Sequence, residues 1–318
     1  MLNFKPRISI IGAGNVGIKY AYALAIRGIT RQIIIVDNNK KRAEGEVMDL
    51  SHGAPYFAPV EIIAGDLEDI TGSDLVVITA GAKQLPGQSR TSLVKENAAI
   101  FRKLIPDIVK YAPQAILLVV TNPVDILSYA AYKFSGKPSH EVIGSGTVLD
   151  SARLRFLMAQ HCNIDPHNIH AYILGEHGDT EFPVWSKAMI GGVLLNDYCM
   201  FCKKYNICEH DARLNNIFTE VRDSAYKIIE LKGETSYGIG LAMATITRAI
   251  LKDEHAVLPV SSLVNGYLGF TDIYIGLPAV VHKNGIREVI HIDLSESEKK
   301  AFIKSAITVQ SLIKECAL

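Results

Sequence analysis

The chain has 318 residues, enough for two domains or for one large α/β unit with a sizeable core. Its 33 basic and 33 acidic side chains balance, which argues against nucleic acid or a membrane surface as partner and leaves any anionic ligand to local charges. The richest apolar run, residues 115–120, falls far short of the roughly 20 residues that span a bilayer, and five cysteines, an odd number, fit a reducing compartment. A cytoplasmic protein is expected.

Short β-branched runs at 7–11, 32–37, 61–64, 74–79, 115–120 and 141–143 read as strands. Their near-continuous hydrophobicity implies burial on both faces, as in a parallel sheet. Helical patterns at 16–27, 41–50, 92–111 and 126–134 fill the gaps. Six strands with interleaved helices give a doubly wound, Rossmann-type α/β sheet, expected over residues 1–145. The rhythm then changes. A helix over 150–161 precedes a strand at 168–175, a polar helical stretch at 209–231 and a helix at 236–251. Runs at 256–263, 273–281 and 286–294 read as antiparallel strands. A C-terminal helix begins near Ser295, whose hydroxyl pairs with Glu298 as a capping box. Residues 146–318 therefore read as an α+β domain, packed rigidly on the first because no flexible linker separates them.

The first strand runs into Gly12-Ala13-Gly14-Asn15-Val16-Gly17 and then a helix. Glycines at this spacing allow a tight turn, close approach of a pyrophosphate and close helix–strand packing, with phosphate charge at the helix N-terminus. Asp37 ends the second strand twenty residues beyond Gly17, where a carboxylate accepts bonds from a ribose 2′-hydroxyl and repels a 2′-phosphate. The cofactor implied is NAD, although the basic run Lys40-Lys41-Arg42 follows closely.

The fourth strand leads into residues 80–91, AGAKQLPGQSRT, a loop punctuated by Pro86 and Gly87. Ligands of open parallel sheets sit beyond the carboxyl ends of the strands, so this loop reads as a cover over a site, carrying the cation Arg90 and the neutral amide Gln84. His177 stands between glycines in GEHGD, exposed enough to exchange protons near neutral pH. Asp150 would orient its imidazole, and Arg153, one turn further on the same helix, would fork a substrate carboxylate. The plainer alternatives are an N-cap for Asp150 and a surface ion pair for Arg153. Cys199, Cys202, Cys208 and His210 carry a C-x-x-C plus C-x-H pattern, but all four crowd into twelve residues, and free thiols around a helix start are expected in place of a metal site.

Six motifs, GAGNVG, GAKQLPGQSR, TNPVD, GSGTVLDSARLR, GEHGDTEFPVWS and GETSYGIG, occur in the order found in the lactate/malate dehydrogenase family, and the resemblance runs from about Arg7 to the C-terminal helix. The resemblance implies an NAD-dependent L-lactate dehydrogenase of bacterial type. It makes His177 the proton donor to pyruvate, paired with Asp150, and Arg153 the carboxylate ligand, assisted by Thr235. Arg90 would polarise the carbonyl. Asn122 would bond near the reacting oxygen, Ser145 would lie near the cofactor carboxamide, and Thr79, Ala80 and Gly81 would line the dinucleotide channel. Malate-specific relatives carry arginine where this chain has Gln84, which lacks the charge to accept a second buried carboxylate, so lactate is favoured. Related enzymes for bulkier hydroxy acids are the runner-up, and a non-enzymatic NAD-binding protein would not need to keep His177, Asp150, Arg90 and Arg153 together. Arg155 and His170 match positions that bind fructose 1,6-bisphosphate across a subunit interface, implying a homotetramer open to allosteric activation.

Overall fold

A computed structural model describes residues 6–82, 90–204 and 213–318. The strands β1 (Arg7–Ile11), β2 (Gln32–Val36), β3 (Glu61–Gly65), β4 (Leu75–Ile78), β5 (Ile116–Val119) and β6 (Val142–Gly144) lie in the order β3-β2-β1-β4-β5-β6, every pair parallel. This is the expected doubly wound order, which reverses between β1 and β4. The helices α1 (Asn15–Arg27), α2 (Lys40–His52), α3 (Arg90–Tyr111) and α4 (Val124–Ser135) cover its two faces.

Period-two alternation explains why strands buried on both sides read as unbroken apolar runs. Val76, Ile78, Leu117 and Val119 enter one core, with α3, α4 and the C-terminal helix. Leu75, Val77, Ile116 and Leu118 enter the other, with α1 and a helix of the second half. On α3 the buried residues Val94, Phe101, Ile105 and Ile108 recur at helical spacing and give that helix one apolar face.

The second half begins with α5 (Val148–Cys162). The single strand expected at 168–175 is instead two dipeptides, β7 (Ile169–His170) and β8 (Ile173–Leu174), which join different small sheets. The cause lies more than twenty residues back in the chain: hydroxyls of Thr147, the N-cap of α5, and of Ser151 within it take over the backbone of Ile173. Ser151 Oγ accepts from its N–H at 2.9 Å, and Thr147 Oγ1 donates to its carbonyl at 2.6 Å, so no long ladder is needed there. Next come β9 (Phe182–Pro183), β10 (Met189–Ile190), β11 (Val193–Leu194), α6 (Leu195–Lys204), α7 (Arg213–Lys232) and α8 (Tyr237–Leu251). The sequence did not signal β9, β10, β11 or α6.

The long hairpin β12 (Ala256–Tyr267) and β13 (Phe270–His282) continues the first sheet, because β12 pairs antiparallel with β6 at Ser261 and Gly144. With β14 (Gly285–Val289) the sheet reaches nine strands. The expected strand at 286–294 leaves the ladder early because its partner Pro278 has no N–H to donate; only Ile290 N–H to Pro278 O, 2.7 Å, remains. The seam at β6 is tight: a Cβ on Gly144 would lie 2.3 Å from Ser128 Oγ and 2.7 Å from Ser261 Cβ. The helix α9 (Glu296–Glu315) starts at the expected capping box between Ser295 and Glu298. No described helix is long and apolar enough to cross a membrane.

Candidate active site

The fingerprint turn lies between β1 and α1, at the carboxyl edge of the sheet. Gly12 has φ +117°, and a Cβ there would sit 2.7 Å from Thr79 Oγ1. A Cβ on Gly17 would lie 2.1 Å from the Gly12 carbonyl oxygen, so only glycine lets α1 close onto the turn. A Cβ on Gly14 would meet nothing within 4 Å. The first and third glycines thus serve packing, and the second presents bare backbone at the start of α1, as a bound pyrophosphate requires. Asn15 and Val16 begin that helix.

Asp37, just past β2, accepts from the Ala13 N–H at 2.7 Å with one oxygen and from the Asn39 N–H at 2.8 Å with the other. The carboxylate is pinned beside the turn at the place a ribose hydroxyl needs. Arg42 is drawn off by Asn15 Oδ1 at 3.3 Å and by Glu46 at 3.8 Å, which weakens the basic run as a rival 2′-phosphate site. Thr79 bonds the Gly12 carbonyl at 3.0 Å, and Ala80 and Gly81 follow it past the end of β4. Ser145 is buried beyond β6, its N–H on the Val119 carbonyl at 2.8 Å. These residues fit the adenosine, pyrophosphate and nicotinamide parts of a dinucleotide laid across the carboxyl edge.

At the same edge, Asp150 in the first turn of α5 is 2 % exposed and gives one oxygen to each of two partners. His177 Nδ1 donates to Oδ2 at 2.6 Å, and Arg153 Nη1 donates to Oδ1 at 2.8 Å. The sequence-predicted trio is therefore one hydrogen-bonded unit, with Asp150 at its centre. Burial opposes charge on His177, but the Asp150 carboxylate beside it wins and lifts the imidazole to about 9. Burial also opposes ionisation of Asp150, yet His177 and Arg153 hold its carboxyl below the ordinary value. Among the described residues no hydrogen bond reaches His177 Nε2, which is left for a ligand.

The loop that carries His177 is fixed from three sides. Its N–H donates to Asp125 Oδ2 at 2.7 Å, and Ser261 of β12 donates to the other Asp125 oxygen at 2.5 Å. Burial pushes the Asp125 carboxyl up to about 6, against the pull of those two bonds. The neighbouring Glu176 N–H donates to Ser305 of α9 at 2.7 Å, and Thr180 bonds both Glu176 and Ser305. Near the cofactor edge, buried Asn97 of α3 accepts from the Ala82 N–H at 2.7 Å and donates to the Asn122 carbonyl at 3.0 Å. Sequence reading missed Asp125, Asn97 and Ser305 as supports. Asp125 stood in the quoted TNPVD motif, while Asn97 and Ser305 carry no local signal.

Asn122 is exposed at the start of the turn into α4, and Thr235 is half-buried between α7 and α8. Gln84 lies outside the described residues; Arg90 begins α3. Arg155 points away from Arg153, its guanidinium on the Pro166 carbonyl at 3.2 Å, and His170 is exposed on β7. Cys199 lies within α6, half-buried and in no disulfide; Cys208 and His210 are outside the described residues. A cleft of about 740 Å³ opens at the opposite, amino-terminal edge of the strands, lined by Ser73, Asp74, His140 and Lys283, and gathers none of the residues above.

The family model for the lactate/malate dehydrogenase NAD binding domain matches residues 6–144, and that for the α/β C-terminal domain matches residues 147–317. The chain belongs to the lactate/malate dehydrogenase family. It is accordingly an NAD-dependent oxidoreductase. An L-lactate dehydrogenase of a Thermoanaerobacter species is 50 % identical over 309 residues, spanning 97 % of this chain and 98 % of that protein. The L-lactate dehydrogenase of Geobacillus kaustophilus is 49 % identical over 96 % of each chain. Among solved structures, a lactate dehydrogenase from a Medee basin deep-sea metagenome library superposes with a TM-score of 0.94 at 41 % identity, covering 99 % of both chains. The minor L-lactate dehydrogenase of Enterococcus mundtii does so at 0.93 and 38 % identity, covering 98 % of both. These neighbours share the whole lactate/malate dehydrogenase fold seen here, from the dinucleotide half to α9.

Proposed function

We propose that this enzyme is an L-lactate dehydrogenase that interconverts pyruvate and (S)-lactate. The observation that carries the reading is the bridge at Asp150, which binds an acid–base histidine and a carboxylate-binding arginine to one buried charge. Bound NADH supplies the hydride. Arg153, with one nitrogen on Asp150, keeps the rest of its guanidinium for the pyruvate carboxylate, and Thr235 adds a hydroxyl. His177, protonated up to about pH 9, gives its Nε2 proton to the oxygen that gains charge, and Asp150 steadies the ring through the transfer. In lactate oxidation the neutral imidazole takes that proton back. Arg90 would polarise the carbonyl from the other side, and Asn122 would bond near the same oxygen. Gln84 would receive the pyruvate methyl. The roles of Gln84 and Arg90 rest on sequence, and the L-lactate dehydrogenase names of the relatives described above support them.

The reading extends to a cytoplasmic homotetramer activated by fructose 1,6-bisphosphate at paired Arg155 and His170 side chains. Two observations favour it. Arg155 Nε is buried without a hydrogen-bond partner among the described residues. Large apolar side chains stand exposed on α1 and α8 (Tyr22, Ile26, Tyr237, Leu241), as subunit contact requires.

A panel of 2-oxo acids, followed by NADH consumption with and without fructose 1,6-bisphosphate, tests all of this. Pyruvate should be preferred, with its saturation curve shifted to lower concentration by the effector. Preference for oxaloacetate or a bulky 2-oxo acid would overturn the substrate assignment, and an unmoved curve the allosteric one. Gln84→Arg should raise the oxaloacetate-to-pyruvate activity ratio by orders of magnitude.

A further inference from the structure

The loop between β8 and β9 carries a second ionisable group that the relay described so far does not use. A turn closed by Glu181 N–H to Gly178 O, 3.2 Å, folds Glu181 back toward His177, four residues earlier. Its side chain is buried, the residue only 6 % exposed. A carboxyl oxygen of Glu181, an oxygen of Asp150 and a ring nitrogen of His177 all lie within 4.8 Å of one another. Three such groups could suggest a cation, but the 2.6 Å hydrogen bond between His177 and Asp150 leaves no room for one between them. What the cluster can hold is protons.

We propose that Glu181 is a third member of the proton relay, a positioning residue that sets how firmly His177 keeps its proton. The inference rests on the dehydrogenase reading above. Burial first, and then the charge of Asp150, push the Glu181 carboxyl up to about 9, the same region as His177. At neutral pH it is an uncharged acid and adds no repulsion to a substrate carboxylate on Arg153. In alkali the pair gives up its first proton as a unit. When that proton comes from Glu181, the new carboxylate stabilises the neighbouring imidazolium and delays its loss. The other charges around His177 are Asp150 and Arg153 from α5, Asp125 from α4, and Glu176 and Asp179 from its own loop; Arg222 of α7 lies within the field of Glu181. Of these carboxyls, Glu181 and Asp125 are lifted above their ordinary values, and Asp125, at about 6, is already ionised when His177 titrates.

The test is the pH profile of kcat/KM for pyruvate, from neutral to strongly alkaline. In Glu181→Gln the alkaline limb should move to lower pH by about one pH unit, a tenfold loss at the foot of the limb. The control is Glu298→Gln, which leaves one oxygen where two accept from Ser186 at 2.9 and 2.6 Å, and should lower the melting temperature without moving the limb. An unmoved limb in Glu181→Gln, or equal movement in both variants, overturns the proposal. Infrared titration of the unsubstituted protein gives an independent reading: a protonated carboxyl band should persist well above neutral pH and vanish with the limb. Absence of that band overturns the proposal even if the variant does not fold. Failure of the unsubstituted enzyme to turn over pyruvate would instead defeat the substrate assignment, and the infrared band would still report on Glu181.

Discussion

Replacing Asp150 by Asn keeps the side chain's shape and one accepting oxygen while removing the charge that holds a proton on His177. With that charge the imidazole titrates at about 9; without it, burial is unopposed by its main partner, and the ring returns to its ordinary 6.5 or below. At pH 7 the native ring is almost fully protonated, and a ring at 6.5 is about one-quarter protonated, so protonation alone costs roughly fourfold. At pH 9 the same comparison is one-half against about 0.3 %, a loss of roughly 150-fold. The defect in pyruvate reduction should therefore deepen by about 40-fold between those two pH values. Any further loss common to both measures the misaimed ring, since Asn can turn its amide toward His177 or Arg153 but cannot accept from both. NADH absorbance at limiting pyruvate reads kcat/KM across the range. A constant deficit at every pH would show that Asp150 acts only by holding the ring in place, and the charge argument would fail.

Three other outcomes follow from the geometry. Arg153→Lys loses the planar fork while keeping the charge, and kcat/KM for pyruvate should fall by about 2 kcal/mol, near 30-fold, mostly through KM; steady-state kinetics decide it. Asp37→Ala removes the acceptor of the Ala13 and Asn39 N–H groups and the repulsion of a 2′-phosphate, so the NADPH-to-NADH ratio of kcat/KM should rise about tenfold or more, and an unchanged ratio would dismiss Asp37 as the selector. Asn97→Ala leaves the half-buried Ala82 N–H without its acceptor and should cost about 1 kcal/mol in urea unfolding.

Much of the fold was legible because it rests on local patterns. The alternating apolar strands, the fingerprint glycines and the Ser295 capping box are set by neighbours a few residues away. The segments that sequence misjudged take their form from distant partners. Residues 168–175 break into two strands because Thr147 and Ser151 reach across from α5, and β14 stops early because Pro278 faces it. The site divides in the same way. His177, Asp150 and Arg153 stood out by residue type and helical spacing. Asn97, Asp125 and Ser305 are ordinary polar residues whose importance comes only from what they touch, and Glu181 stood unremarked inside a motif already quoted.

The hydrogen bonds from Glu176 and Thr180 to Ser305 have a temporal side. They join positions more than 120 residues apart, and Ser305 lies on α9, which leaves a ribosome after every other element described above. The dinucleotide half, whose six strands are joined by short crossovers, can pair those strands while synthesis continues, before α8 and α9 close its two cores. The His177 loop does not, because Ser261 and then Ser305 must first emerge. A nascent chain should therefore gain the ability to bind nucleotide before it can catalyse anything.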